Sequence, residues 1–174
     1  MNEAIKKKRF LAKYDAKKIW WFRFLRSCLI FAFAVFLLFI LVIGLSRVSG
    51  NSMYPTLENG DVVLFFRLDK NYSRGDILSV RMPNGEYYIK RVVAVAGDEV
   101  DIQDGKLYLN GEIAEEPYAN GETFAAEESN IEYPMTIRDG MVFALGDNRT
   151  VSKDSRNYGA FSISQSRGKI LFVK

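Results

Sequence analysis

Ser52 stands in Gly50-Asn51-Ser52-Met53-Tyr54-Pro55-Thr56-Leu57, a hydroxyl residue close behind a glycine and just ahead of a proline. That is the local chemistry of a serine presented on a tight, pre-set turn. The chain of 174 residues contains no histidine and a single cysteine, Cys28. A serine used here as a nucleophile must therefore find a base other than imidazole, and an amine is a known alternative. A free lysine is protonated at neutral pH and becomes a base only where burial or neighbouring cations disfavour its charge. Lys90 meets that requirement by context. It lies within Tyr87-Tyr88-Ile89-Lys90-Arg91-Val92-Val93-Ala94-Val95-Ala96, where strand alternation places Tyr88, Lys90, Val92 and Ala94 on one face and turns Arg91 to solvent. An edge-strand lysine that discourages aggregation would give the same local pattern. A third segment, Gly146-Asp147-Asn148-Arg149-Thr150-Val151-Ser152-Lys153-Asp154-Ser155-Arg156, is dense in hydrogen-bonding groups. If it is extended, Asp154 and Arg156 share a face and can pair; it also reads as a solvated turn.

Charge divides the chain. Residues 1–26 carry nine Lys/Arg against two Asp/Glu, while the remainder carries fifteen against nineteen. A nucleic-acid binder would keep its basic stripe on the folded domain. Here it precedes the run from Cys28 to Leu45, which holds no charge and is apolar on every face. At about 1.5 Å per residue such a helix crosses roughly 27 Å, close to a hydrocarbon core of about 30 Å. The run is longer than a signal-peptide core of about 7–15 residues, so a retained anchor is favoured. Residues 1–26 then form a basic, partly helical cytoplasmic tail, residues 27–46 a transmembrane helix, and residues 47–174 an outer domain. Trp20, Trp21, Phe22 and Phe24 among Lys17, Lys18, Arg23 and Arg26 suit a membrane interface. With one thiol, no disulfide framework or Cys/His metal site is available. No cofactor and no metal are expected.

The outer domain reads as mostly β, with antiparallel sheets or a small barrel-like fold. Strands are expected over 61–68, 77–82, 87–96, 99–103, 106–110, 131–137, 141–145 and 169–173. Asn84-Gly85 and Asp104-Gly105 predict type I′ hairpins, whose two central residues both need positive φ. Residues 111–130, rich in glutamate, read as a loop or insertion.

Taken together in this order, Ser-Met-x-Pro-Thr-Leu, Lys-Arg in an apolar strand, and Gly-Asp-Asn-Arg with Ser-x-Asp-Ser-Arg resemble the bacterial type I signal peptidases, in a compact single-anchor form. The resemblance runs from the anchor to about Gly168. It implies a serine endopeptidase that removes signal peptides from exported preproteins, held in the cell membrane with its catalytic domain outside. It implies Ser52 as nucleophile and Lys90 as general base. Met53 corresponds to a methionine facing the membrane side, Ser152 to a serine whose hydroxyl orients the base, and Asp147, Asp154 and Arg156 to bracing residues. Gly50 departs from members that carry an oxyanion-holding serine there. Expected partners are signal peptides, the lipid bilayer and the secretion machinery, with no nucleic acid. The alternative is a weak or idle relative serving surface-protein assembly, which would be expected to lose Ser52 or Lys90.

Overall fold

A computed structural model describes residues 2–173, and it divides into two compact units, the helix up to Leu41 and everything from Val42 onward. The first unit is one long helix, α1 (Asn2–Val42). Its portion Lys17–Val42 is 26 residues long, with none of its most apolar stretch buried. At 1.5 Å per residue it spans about 39 Å, enough to cross a bilayer. Trp20 stacks on Phe24 with ring centroids 5.7 Å apart, on a helix surface exposed all round.

Two boundaries differ from the sequence reading. The basic segment, expected to be partly helical, is helical from Asn2 and continuous with the apolar helix. At the other end the helix stops at Val42 rather than running to 46. Ile43 to Arg47 pair residue by residue with Phe66 to Val62. A β-branched residue and a glycine are poor helix formers, and the ladder offers their backbone groups partners. Gly44 is obligatory, since a Cβ there would collide with the Phe65 ring.

The second unit is built on eleven strands: β1 (Ile43–Arg47), β2 (Val62–Phe66), β3 (Ile77–Arg81), β4 (Tyr87–Val95), β5 (Glu99–Gln103), β6 (Lys106–Leu109), β7 (Glu112–Ile113), β8 (Met135–Thr136), β9 (Met141–Leu145), β10 (Phe161–Ser162) and β11 (Ser166–Val173). Every strand pair is antiparallel. A curled seven-stranded sheet runs β1-β2-β11-β3-β4-β9-β10, and a four-stranded sheet runs β7-β6-β5-β8. A single helical turn, α2 (Ser155–Tyr158), follows β9.

β9 reads Met-Val-Phe-Ala-Leu because both its faces are covered. Val142 and Ala144 join a core with Leu78, Val80 and Val92, while Phe143 and Leu145 join a second with Val100, Leu107 and Ile137. A third core gathers Val48, Met53, Leu57 and Val63 beneath the Ser52 loop. Each fully buried aliphatic side chain contributes about 1.5–3 kcal/mol against exposure.

The Asp104-Gly105 hairpin has positive φ at both residues, as expected. The Pro83-Asn84-Gly85 connection does not: only Gly85 is positive, and its N–H donates to the Met82 carbonyl. That is a type I turn closed by a left-handed glycine, the usual three-residue hairpin, in which proline supplies the first central φ. The strand expected over 131–137 shrinks to Met135–Thr136, because Pro134 has no N–H for a ladder.

Candidate active site

Apolar side chains hold the Ser52 loop from below. Met53 and Leu57 are fully buried, and Leu57 N–H donates to the Met53 carbonyl at 2.9 Å, making one helix-like turn. Gly50 has φ of +87°, a region glycine enters without penalty, and its N–H donates to Asn59 Oδ1 at 3.0 Å. From the side, Asn148 N–H donates to the Ser52 carbonyl at 3.0 Å and Asn148 Nδ2 to the Asn51 carbonyl at 3.1 Å.

Lys90 projects from β4 with only 1% of its surface exposed. Its Nζ lies 2.9 Å from Ser52 Oγ, donates to the Ile89 carbonyl at 3.0 Å, and sits 5.2 Å from the centroid of the Tyr88 ring. Burial pulls the amine down to about 8; Asp154 and Asp147 oppose that shift, and Arg156 adds to it. A buried amine within reach of a hydroxyl proton, and partly neutral near physiological pH, has the geometry and poise of a general base.

An open cleft of about 880 Å³ leads to the pair, with Ser52, Val48, Met53, Ser79, Ile89 and Lys90 among its lining. β4 pairs with β9 only from Arg91 onward, so its edge over residues 87–90 is not covered by β9. No group of three or more His, Cys, Asp or Glu able to hold a metal occurs among the described residues.

The model of the family described as "Signal peptidase, peptidase S26" matches residues 21–174. "Signal peptidase I S" of Bacillus subtilis is 36% identical over 72% of this chain and 73% of its own length. "Signal peptidase IB" of Staphylococcus aureus is 31% identical over 72% and 74%. The crystal structure of a signal peptidase I from Enterococcus faecalis superposes with a TM-score of 0.50 at 30% identity, covering 59% of this chain and 97% of that one. The chain belongs to the S26 signal peptidase family. It is a peptidase, and signal peptides are the substrates its family implies.

In this signal peptidase family member, Asp147, Asp154 and Arg156 lie close enough to Lys90 for their charges to act on its amine. Asp147 is fully buried and takes a two-pronged contact from Arg91, at 2.8 Å to Nε and 2.6 Å to Nη2. Asp154 caps α2, accepts from Gly146 N–H at 3.0 Å, and pairs with Arg156 at 2.9 Å. The pairing of Asp154 with Arg156 was expected, but it forms across a helix cap rather than along an extended segment. Arg156 in turn donates to the carbonyls of Arg149 and Ser152.

The structure departs from expectation at Arg91, Ala94 and Ser152. Arg91 is not solvated: it is 9% exposed, held by Asp147 and Thr56, with its guanidinium 4.1 Å from the Tyr118 ring centroid. Segment 116–124 covers it, which local alternation could not reveal. A bulge between Val92 and Ala94 also breaks that alternation, so Ala94 joins the core on the other face. Met53 is 1% exposed, packed in the core under the loop. Ser152 Oγ makes no hydrogen bond among the described residues, and the Ile89 carbonyl is the group that receives the amine. Ser152 instead packs on Gly146, where an added Cβ would strike both it and the Ser52 carbonyl.

Sequence reading missed the clamp formed by segment 116–124. Arg149, with no side-chain exposure, contacts Glu116 twice, at 2.8 and 2.5 Å, and also bonds Thr123 and the Gly146 carbonyl. Asn120 N–H donates to the Asp147 carbonyl at 2.7 Å, and its own carbonyl accepts from Arg149 N–H at 2.9 Å. The glutamates of 111–130 gave no hint which of them would face inward. Burial, reinforced by Glu116, pushes the Tyr118 phenol up to about 12.

Proposed function

We propose that this peptidase cleaves signal peptides from exported preproteins with a Ser52 nucleophile and a Lys90 general base. The observation that carries the reading is the 2.9 Å approach of a buried amine to Ser52 Oγ. Neutral Lys90 accepts the Ser52 proton as Oγ attacks the scissile carbonyl carbon. The carbonyl π electrons move onto its oxygen, which backbone N–H groups of the loop, including that of Ser52, hold as an oxyanion. Collapse expels the amine of the mature protein, protonated by the Lys90 ammonium. Water, deprotonated by the neutral amine, then releases the signal peptide from Ser52. Asp147, Asp154 and Arg156 act as positioning residues that fix the loop behind the amine.

The substrate binds extended, adding a strand along the β4 edge at residues 87–90. The small residues one and three positions before the cut then point into the cleft. The apolar helix anchors the enzyme in the membrane with residues 1–26 in the cytoplasm and the sheet domain outside, in keeping with the basic excess before the span and Trp20 and Trp21 near its start. Anchoring confines enzyme and preprotein to one interface and raises their effective concentration.

Full-length protein in micelles, given a preprotein, tests this reading. Ser52→Ala and Lys90→Ala should each lower turnover on the order of 10⁴-fold or more. Cleavage persisting at the wild-type rate in either variant would end the dyad assignment.

A further inference from the structure

Among the described residues, the buried serines and threonines number five: Ser79, Thr123, Ser152, Ser155 and Ser166. Three are engaged. Ser155 Oγ accepts from Ala144 N–H, Ser166 Oγ pairs with the Tyr72 hydroxyl, and Thr123 bonds Arg149. Ser152 packs on Gly146 and is not among the residues lining the cleft. Ser79 is different. Its residue surface is 97% buried, it lines the cleft, and its hydroxyl enters no hydrogen bond among the described residues.

The sheet leaves that hydroxyl uncovered. Ser79 pairs with Ile89 of β4 on one side and Gly168 of β11 on the other. Residues paired across antiparallel strands project to one face with Cβ atoms about 5 Å apart. Ile89 supplies a wall, and Gly168 supplies no side chain at all. Gly168 is held to glycine by a φ of +151° and by the Phe66 carbonyl, which a Cβ would strike. Ser79 thus brings a hydroxyl to a part of the cleft whose lining also includes Val48, Met53 and Ile89.

We propose that Ser79 is a specificity-determining residue that selects preproteins carrying a hydroxyl side chain, serine or threonine, at one of the two cleft-facing positions before the cut. The inference rests on the reading that the cleft takes the signal peptide. A bound strand shuts this part of the cleft from water. A substrate alanine leaves the Ser79 hydroxyl without a partner, whereas a substrate hydroxyl pairs with it. A buried group left unpaired costs more than a made hydrogen bond returns, so discrimination of about tenfold is the expected scale.

The test is competition. Wild-type protein and Ser79→Ala, full-length and in the same micelles, receive equimolar preproteins that differ only by Ala or Ser at the third position before the cut. A second pair differs at the first position. The ratio of cleaved products, read by mass spectrometry, gives the ratio of kcat/KM whatever the fraction of active enzyme. In at least one pair the Ser-to-Ala ratio should fall about tenfold on going from wild type to Ser79→Ala. Ratios unchanged within twofold in both pairs would overturn the assignment and leave the peptidase reading intact. Failure of wild type to cleave any of the four would overturn both.

Discussion

Replacing Lys90 with methionine removes the charge and keeps an unbranched side chain, so it exposes what burying the amine costs. Burial holds Lys90 at about 8, below its ordinary 10.5. Well below pH 8 the ammonium is present in both the folded and the unfolded chain, and the folded chain carries the full cost. Between pH 8 and 10.5 the folded lysine has lost its proton while the unfolded one keeps it. The unfolded state then binds more protons, so stability rises with pH, and the cost is gone above the unfolded value. A shift of this size amounts to about 3 kcal/mol at pH 7 and about 1 kcal/mol at pH 10. Lys90→Met carries none of it. The variant loses contacts to Ser52 Oγ and the Ile89 carbonyl, but that loss adds an offset largely independent of pH. Between pH 7 and pH 10 the stability difference should therefore move by about 2 kcal/mol in favour of wild type. At about 2–4 °C per kcal/mol, that is a relative change in Tm of about 4–8 °C. Calorimetry of the two full-length proteins in identical micelles measures it, since the only tryptophans, Trp20 and Trp21, lie on the helix and do not report on the sheet domain. A Tm difference constant from pH 7 to 10 would refute the claim that burial tunes this amine.

Asp147→Asn leaves the Arg91 guanidinium buried beside a neutral partner, and should destabilise by about 3–5 kcal/mol in thermal unfolding, with partial recovery in Asp147→Asn/Arg91→Met. Because Asp147 holds the Lys90 value up, the half-maximal pH of the variant's remaining activity should also move down. Gly146→Ala forces a Cβ against Ser152 and the Ser52 carbonyl; overpacking of this kind costs about 1–3 kcal/mol. The displaced atoms include those of Ser52, the proposed nucleophile, so kcat should fall by more than KM rises in steady-state cleavage.

Features carried by local sequence were legible in advance. The apolar run, the Asp104-Gly105 hairpin and the order of Ser52, Lys90 and the Gly146–Arg156 segment each announce themselves within a few residues. What was not legible depends on distant partners. Arg91 reads as solvent-facing until Asp147, 56 residues on, and Tyr118 cover it. Glu116 looks like any other glutamate of its acidic loop until Arg149 meets it. The bulge in β4 arises from pairing with β9, not from any glycine in the strand. Ser79 attracts no notice in Ile-Leu-Ser-Val-Arg; its meaning comes from Gly168 and the cleft.

The pH dependence of kcat/KM on a preprotein tests the Ser52–Lys90 account most directly, because that ratio reports the titration of the free enzyme. At pH 7 a base of about 8 is neutral in roughly one molecule in ten, about 300-fold more than at the ordinary lysine value. A single rise that is half-maximal near pH 8 and level by pH 10 is the predicted profile. A rate still climbing at pH 10, or one indifferent to pH between 6 and 10, would contradict the mechanism.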